Sequence, residues 1–391
     1  MKTEYVYGEF RDGVTPGKSE VILRLNLEKA AWVCLLILAV VMRFYGLGDR
    51  VISHDESLHT YYSWELSEGR GFQHTPLMHG PFQFHALALS YFLFGDNDFT
   101  SRIPAAVFVV GAIGLLWCFR DWLGRVGAFG AAVLMTISPT LLYYSRYARN
   151  EAFAVVFALL MVLAIRRYYQ YGGQRWLYLL AVAMALSHTT KEVAFIYDAI
   201  FMLYLGGLFV RDNLRSSWRR EGLKRAFSLI LIFAGMACVV AITGWIYATD
   251  SGSGLAIDQA NIRISLATSA VFASAVGLAL GLTALAITVF EDRKRVYSYA
   301  SFDLLLLMGT LVLPQLVAFP VRVALNFDPL DYTAAGMWRT GPILIGLILL
   351  TGVCGFAWNR KIWLGCAGLF YSVYIFFFTT MFSNSCLLYT S

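Results

Sequence analysis

Charged residues and cysteine motifs are both scarce in this chain of 391 residues. Only 14% of the residues are charged, while 58% are hydrophobic. A soluble domain cannot bury that much apolar surface, whereas a lipid bilayer can cover it. None of the six cysteines belongs to a Cys-x-x-Cys pair, so neither a disulfide framework nor a structural zinc site is indicated. The composition therefore predicts an integral membrane protein.

About eleven apolar stretches approach the ~20 residues that a helix needs to cross the hydrocarbon core. They lie at residues 29–48, 103–119, 126–144, 152–165, 176–188, 193–210, 226–248, 268–290, 301–320, 341–358 and 362–382. A polar segment of 28 residues precedes the first stretch, which is unlike the short basic start of a cleavable signal peptide. The sequence predicts an all-α polytopic membrane helix bundle over residues 29–382, with the first span as an uncleaved anchor.

The distribution of basic residues predicts which side of the membrane each loop occupies. With the N-terminus in the cytoplasm, 21 of the 31 Lys and Arg residues fall on the cytoplasmic side, as the positive-inside rule requires. Segment 1–28 is then cytoplasmic and the loop 49–102 is extracytoplasmic, in a plasma-membrane protein. The net charge of +6 favours contact with membrane lipids rather than nucleic acid, because no nucleic-acid motif accompanies it.

The loop 49–102 contains five of the six histidines. Ser53 and Glu56 fit a capping box at the start of a helix over residues 54–68. Pro81 suits the first turn of a second helix that ends near residue 94. That helix is too short to span, so it is predicted to lie along the interface. Residues 383–391 fit no cap, loop or span pattern, which suggests a truncated or non-native tail.

The first predicted helix of this loop begins with two carboxylates, Asp55 and Glu56, beside His54. A helix N-terminus favours ionised carboxylates, and His59 lies one turn later on the face of Asp55. A carboxylate with a histidine neighbour can take a proton from a hydroxyl group. The alternative is that both acids only cap the helix.

Basic residues are few on the outer side, yet two groups of them lie at the mouths of predicted spans. Arg146 and Arg149 precede Glu151, and Lys191 precedes Glu192. Guanidinium and ammonium groups at these positions can bind a phosphate. Alternatively, they are snorkelling side chains paired with the two glutamates.

Other polar residues of the outer loop admit structural interpretations. His74 and His79 can hold a divalent metal, although spacing across a loop is weak support for such a site. The run Asp96-Asn97-Asp98 is predicted to cap the following span. His85 is predicted to pack in an apolar environment, and Arg43 to snorkel to the outer interface.

These motifs, in this order, resemble those of the GT-C membrane glycosyltransferases, in particular the dolichyl-phosphate-mannose protein mannosyltransferase type (glycosyltransferase family 39). The resemblance rests on the acidic pair 55–56, a proline-containing turn at 75–81, the Arg-x-Pro sequence at 102–104 and the Ser-Arg-x-x-Arg-x-Glu element at 145–151. The last element and Thr-Lys-Glu at 190–192 are also similar to the sequences of one subgroup of this family. Its members occur in archaea and some bacteria and are labelled "flippase activity-associated".

The resemblance implies an inverting transfer of a sugar from a polyprenyl-phosphate donor to a hydroxyl acceptor, in protein glycosylation or cell-envelope glycan assembly. By analogy, Asp55 takes the proton of the acceptor hydroxyl, while Arg146, Arg149 or Lys191 stabilises the departing phosphate. The alternative is a non-catalytic flippase-associated or transport protein for lipid-linked sugars. Transporters place repeats and broken helices at mid-membrane, whereas the polar groups here lie at span mouths, which favours the enzyme.

Overall fold

The computed structural model describes residues 18–72, 79–249, 257–318, 321–322, 327–328, 331 and 333–382. Across these described residues the regular elements are helices, and none is a strand. The α-helices of this part of the chain are α1 (Lys18–Phe44), α2 (His54–Ser67), α3 (Phe82–Phe94), α4 (Asp98–Leu115), α5 (Arg120–Ile137), α6 (Pro139–Tyr144), α7 (Glu151–Tyr171), α8 (Gln174–His188), α9 (Val193–Arg215), α10 (Glu221–Thr249), α11 (Ile257–Val296), α12 (Ala300–Val312) and α13 (Ala334–Phe378). The predicted tail 383–391 and His74 lie outside the described residues.

Seven helices within the described ranges are long and apolar enough to cross a bilayer. Two of them, Asp98–Ile137 with 40 residues and Ala334–Phe378 with 45, each cover two of the predicted stretches. Gly124, with φ 75°, interrupts the first, and an extended backbone at Asn359 interrupts the second. These breaks bring nine predicted stretches into the seven helices, and α1 and α8 correspond to the other two. The prediction of an all-α polytopic membrane bundle is confirmed.

The chain divides into two compact units, the first comprising residues 1–64 and 86–156 and the second residues 65–85 and 157–391. In unit 1, helix α1 packs against α4 and α5. Trp32 of α1 is buried there and meets Trp117 and Phe129 edge-on, with ring centroids 5.4 and 5.5 Å apart. Large aromatic surfaces of this kind stabilise a helix interface beyond their buried area alone.

In unit 2, helix α8 packs against α13, and α9 packs against α12. The core consists of aliphatic and aromatic side chains, among them Ala181, Met184, Leu307 and Phe370. Helix α10 packs against α11, and its outward residues such as Ile232 and Phe233 are exposed. Exposed apolar side chains on a spanning helix are suited to contact with lipid.

The start of α4 is a capping box, as the run 96–98 predicted, and the capping residue is Asn97. Its side-chain oxygen accepts hydrogen bonds from the amides of Phe99 and Thr100, at 3.0 and 2.9 Å. The Thr100 hydroxyl in turn accepts from the Asn97 amide at 3.0 Å. These reciprocal bonds satisfy amides that have no partner within the helix.

Arg43 does not snorkel, so that prediction is wrong. The side chain is fully buried in unit 1 and donates to the carbonyl oxygens of Ala39, at 3.3 Å, and Met135, at 3.1 Å. In a continuing helix the Met135 carbonyl accepts from the amide of residue 139, but Pro139 has no N–H. The guanidinium of Arg43 supplies the missing donor at the end of α5.

Candidate functional site

The outer loop of unit 1 begins with a capping box that combines with a buried ion pair at Glu56. The Glu56 carboxylate accepts from the Ser53 amide at 3.1 Å, and the Glu56 amide donates to the Ser53 hydroxyl at 3.4 Å. Arg102, near the start of α4, donates to both oxygens of Glu56 from Nε and Nη2, each at 2.9 Å. Helix α2 is therefore fixed to α4 through one carboxylate.

Further donors complete the environment of Glu56, whose side chain has no exposed surface. The Ala148 amide donates to Oε1 at 3.0 Å, and Arg50 donates to Oε2 at 3.1 Å. Burial alone raises the pKa of a carboxyl group, but here the hydrogen bonds from Arg102, Ala148 and Ser53 and the Arg102 charge outweigh it. The pKa of Glu56 is lowered to about 2.

Asp55 has the opposite environment, because its side chain is 56% exposed. It accepts a hydrogen bond of 2.5 Å from Nη1 of Arg149, whose side chain is 20% exposed. The Nε of Arg149 also lies 3.8 Å from a carboxylate oxygen of Glu151. Unit 1 thus presents one accessible carboxylate beside one guanidinium, at the N-terminus of α2.

Glu56 and Arg146, which the sequence predicts to be a catalytic acid and a phosphate ligand, are both engaged by other groups of unit 1. Glu56 is buried and engaged by four donor groups, those of Ser53, Arg50, Arg102 and Ala148. Arg146 donates from its two terminal nitrogens to the carbonyl oxygens of Met42 and Gly46, at 3.0 and 2.9 Å. Both residues fix the backbone around Asp55 and Arg149, and the catalytic role of Glu56 and the phosphate-binding role of Arg146 stay predictions.

Aromatic rings pack beside this site in unit 1. Tyr143 and Tyr147 stack with centroids 5.3 Å apart, and the guanidinium of Arg50 lies over both rings. The Tyr147 hydroxyl lies 2.8 Å from the hydroxyl of Ser53, the capping residue of α2. The segment that carries Arg149 is thereby attached to the segment that carries Asp55.

The two histidines nearest the acidic pair occupy different surroundings. His54 is exposed at the first position of α2. His59 is buried, and its carbonyl oxygen accepts from the Ser63 hydroxyl at 2.7 Å. Although His59 is four residues from Asp55, the partner of Asp55 is Arg149.

In unit 2, His79 and Glu192 form a pair, with Nδ1 of the ring 2.9 Å from a carboxylate oxygen. The chain next to each residue is also joined by backbone hydrogen bonds. The amides of Gly80 and Phe82 donate to the carbonyl oxygens of Thr190 and Thr189, at 3.0 and 2.8 Å. We call the segments 79–82 and 189–192, joined in this way, the strap of unit 2.

Other polar residues of unit 2 lie near the strap or support it. Lys191 is half-buried within the strap. His188, the last residue of α8, lies 2.6 Å from a carboxylate oxygen of Asp198 on α9, and both side chains are buried. His85 is buried on α3 as predicted, and its Nδ1 contacts the Pro81 carbonyl oxygen at 2.8 Å.

No group of three or more His, Cys, Asp or Glu side chains in the described residues is placed to hold a metal ion. Of the two histidines expected to bind one, His79 pairs with Glu192, while His74 lies outside the described residues. The binding of a divalent metal, which the sequence suggested, stays a hypothesis.

Sequence reasoning missed two buried partners, Arg102 in unit 1 and Asp198 in unit 2. Arg102 was identified in a motif without a partner, and its contact with Glu56 joins positions 46 residues apart. Asp198 lies within an apolar stretch, where an ionisable residue is a signal for a buried partner.

Together, the helix bundle and the exposed carboxylate–guanidinium pair define a polytopic membrane protein with a polar site beside its spans. Residues 78–245 match the family model of the dolichyl-phosphate-mannose-protein mannosyltransferases. The resemblance predicted from the motifs is confirmed over that segment. A comparison with curated proteins finds no match.

Two solved structures are similar to this chain at low identity. One is ArnT from Cupriavidus metallidurans bound to undecaprenyl phosphate, with 13% identity and a TM-score of 0.39, covering 93% of this chain and 76% of ArnT. The other is the archaeal oligosaccharyltransferase AglB from Archaeoglobus fulgidus, in complex with an inhibitory peptide and a dolichol-phosphate. It has 15% identity and a TM-score of 0.43, covering 94% of this chain and 49% of AglB. This chain therefore spans about half the length of AglB.

Proposed function

We propose that the protein is a membrane glycosyltransferase that moves a sugar from a polyprenyl-phosphate donor to an acceptor hydroxyl outside the cytoplasm. The observation that carries the proposal is the ion pair between Asp55 and Arg149. It places a potential base and a potential phosphate ligand side by side in unit 1. The match of residues 78–245 to a mannosyltransferase family supports the same reaction class.

Asp55 is the proposed base that takes the proton of the acceptor hydroxyl. Its side chain is exposed and stands in the first turn of α2, where an acceptor hydroxyl can approach it. Glu56 is the proposed positioning residue, because its buried contacts with Arg102 and the Ala148 amide fix the start of α2. A well-fixed base contributes more to proton transfer than a mobile one.

Arg149 is the proposed ligand of the donor phosphate in unit 1, and Lys191 is proposed as a phosphate ligand of unit 2. The guanidinium of Arg149 is partly exposed and has planar donor geometry that suits phosphate oxygens. A phosphate bound there competes with Asp55 for the same guanidinium. Binding of the donor would then release the carboxylate for its work as a base.

The reaction proposed is an inverting displacement at the anomeric carbon of a hexosyl donor. The acceptor oxygen forms the new glycosidic bond as its proton passes to Asp55, and the bond between the sugar and the phosphate breaks. The lipid phosphate leaves with the bonding electron pair, stabilised by cationic groups. The acceptor is a hydroxyl group of a protein or a cell-envelope glycan.

The proposed location of the site is the outer face of the plasma membrane, with the N-terminus in the cytoplasm. The bias of Lys and Arg toward the other loops supports this orientation. A lipid-linked donor can enter from the bilayer and present its phosphate at the interface.

Sugar transfer from a radiolabelled polyprenyl-phosphate sugar, measured in membranes at matched protein levels, tests the proposal. Asp55→Asn and Arg149→Ala are each expected to reduce transfer at least about 100-fold, as removal of an acid–base or charge-stabilising group does. Asp96→Asn is the matched control, because Asp96 is an exposed residue of the same loop outside the pair. Full transfer by Asp55→Asn would remove that residue from the base role.

A non-catalytic flippase-associated or transport protein is the alternative that the same experiment separates. Such a protein would move lipid-linked sugar between leaflets without forming a glycosidic bond. The outer basic groups would then bind phosphate, while Asp55→Asn would leave lipid movement intact. Wild-type protein that moves the labelled lipid but transfers no sugar to any acceptor would favour this alternative.

A further inference from the structure

The backbone of His79 adopts a conformation that side-chain-bearing residues rarely take. Its φ is 63°, in the left-handed region. For a residue other than glycine, this conformation is unfavourable and persists only where the surrounding structure enforces it. The strap of unit 2 therefore holds His79 in place against its backbone preference.

Gly80 explains how the strap enforces this conformation. A Cβ atom at Gly80 would lie 2.2 Å from the carbonyl oxygen of Thr189, a backbone atom that cannot move aside cheaply. Because glycine has no Cβ, segment 79–82 can approach segment 189–192 closely enough for the hydrogen bonds of Gly80 and Phe82 to form. The close approach fixes the direction in which the preceding His79 ring leaves the chain.

The contact with Glu192 determines which ring nitrogen of His79 is available to a ligand. A carboxylate only accepts hydrogen bonds, so Nδ1, which contacts Glu192, carries a hydrogen. Nε2 is then the ring nitrogen left for a ligand, and the His79 side chain is 31% exposed.

Stability alone does not account for this arrangement. The Glu192 side chain is 58% exposed, and ion pairs exposed to this degree contribute little to stability. A left-handed backbone at a histidine costs more than such a pair returns. Unfavourable backbone conformations of this kind concentrate at ligand-binding positions.

We propose that His79, oriented by Glu192, is a ligand for the phosphate group of a lipid phosphate, beside Lys191 in unit 2. This inference rests on the proposed function for the identity of its ligand and adds a residue to the binding of that ligand. Nε2 of His79 forms a hydrogen bond with a phosphate oxygen. Glu192 is a positioning residue that holds the ring through Nδ1.

Binding of an unlabelled polyprenyl phosphate to the full chain in nanodiscs tests the proposal directly. His79→Gly removes the ring and leaves a residue that adopts a positive φ freely. The expected result is binding weakened at least about tenfold, the loss of a hydrogen bond to a charged group, with an unfolding temperature equal to or above that of wild type. If His79 had only a structural role, its replacement would lower both the affinity for the lipid and the unfolding temperature, or would change neither.

Three further measurements make the test specific. His79→Asn, which tolerates the left-handed region, is the second ring-deletion variant and is expected to bind as weakly as His79→Gly. Glu192→Gln keeps the ring and is expected to weaken binding less than either. Glu65→Gln, in the exposed pair of Glu65 with Arg70, is the matched control and is expected to bind like wild type.

The remaining measurements distinguish a lipid phosphate from free phosphate as the ligand. They also distinguish a failure of this proposal from a failure of the proposed function. Inorganic phosphate in place of the lipid is expected not to compete at millimolar concentration, because the lipid chain contributes to binding. Competition at that level would assign the site to free phosphate. Binding by His79→Gly and His79→Asn within twofold of wild type would overturn the role of His79. Histidine-dependent lipid binding without any sugar transfer would uphold it while refuting the proposed glycosyltransferase.

Discussion

Arg102 holds Glu56 through two parallel hydrogen bonds, from Nε to Oε1 and from Nη2 to Oε2, each 2.9 Å long. Arg102 also donates to the carbonyl oxygens of Leu47 and Arg50, at 2.9 and 2.8 Å. One buried guanidinium thus joins the chain after α1, the first turn of α2 and the start of α4. Glu56, the acid next to Asp55, therefore fixes the backbone of the site in unit 1.

Glu56→Gln is expected to destabilise unit 1. An amide cannot accept from both nitrogens of Arg102, and it leaves a buried guanidinium without a counter-charge. Breaking one side of a buried ion pair costs about 3–5 kcal/mol. Thermal unfolding in detergent should show a lower midpoint for Glu56→Gln than for Glu65→Gln, a control whose side chain is partly exposed. Equal midpoints would contradict the anchoring role of Glu56.

Acid is expected to destabilise the wild type through Glu56 in a defined pH range. The pKa of Glu56 is lowered from 4.5 to about 2 in the folded protein, so its contribution to stability is fully present above about pH 4.5. That contribution, on the order of 3 kcal/mol, is lost as the pH falls toward 2. Unfolding midpoints measured across this range should fall less steeply in Glu56→Gln than in wild type. Parallel curves would exclude Glu56 as a source of acid sensitivity.

Asp55→Asn is expected to tighten the binding of a lipid phosphate while it abolishes sugar transfer. The Asp55 carboxylate occupies the Arg149 guanidinium, and its loss frees that cation for the phosphate. Removal of a competing charge near the surface should strengthen binding several-fold. Binding and transfer are measured on the same nanodisc sample, with Asp96→Asn as control. Weaker lipid binding in Asp55→Asn would argue against competition for Arg149.

Arg43→Leu is expected to lower the stability of unit 1 despite the apolar gain in a membrane helix. The variant leaves the Met135 carbonyl without its donor, and an unsatisfied buried polar group costs about 1–3 kcal/mol. The unfolding midpoint of Arg43→Lys should lie between those of wild type and Arg43→Leu, because a single ammonium group replaces the planar guanidinium with its several donors. The unfolding midpoints of the three proteins give the order. A midpoint for Arg43→Leu at or above wild type would show that the carbonyl finds another donor.

A membrane-impermeant maleimide is expected to label Leu58→Cys from outside intact cells. Leu58 is exposed on α2, within the loop predicted to be extracytoplasmic. Ser217→Cys, an exposed position in the basic connection between α9 and α10, should react only after the membrane is opened. The opposite pattern would reverse the orientation and remove the basis for an outer active site.

Local features of the site could be predicted from the sequence. The capping box of Ser53 and Glu56, the helix 54–67 that follows it and the helix from Phe82 to Phe94 appear close to the expected residues. Each is set by neighbours within a few positions, where capping and turn preferences act. In the same way, the run 96–98 was predictable as the cap of α4. The sequence did not show that Asn97 would be the capping residue.

Contacts between distant segments could not be predicted in the same way. Arg43, Arg102 and Arg146 all donate to backbone carbonyl oxygens, and a sequence does not show which carbonyls lack a partner after folding. At Met135 the signal existed, because Pro139 removes the expected amide. Nothing in the local pattern of residues 55 and 56 indicates that the second acid would meet a residue of α4.

The exposure of Asp55 and the burial of Glu56 follow from helix geometry, because successive side chains point about 100° apart around the helix axis. When the second acid of the pair faces inward, the first is turned toward water. Insertion of a single residue just before α2 would turn Asp55 inward to the position of Glu56 and move Glu56 to the exposed position that Ser57 now occupies. The register of this turn, more than the presence of two acids, sets which carboxylate a substrate can meet.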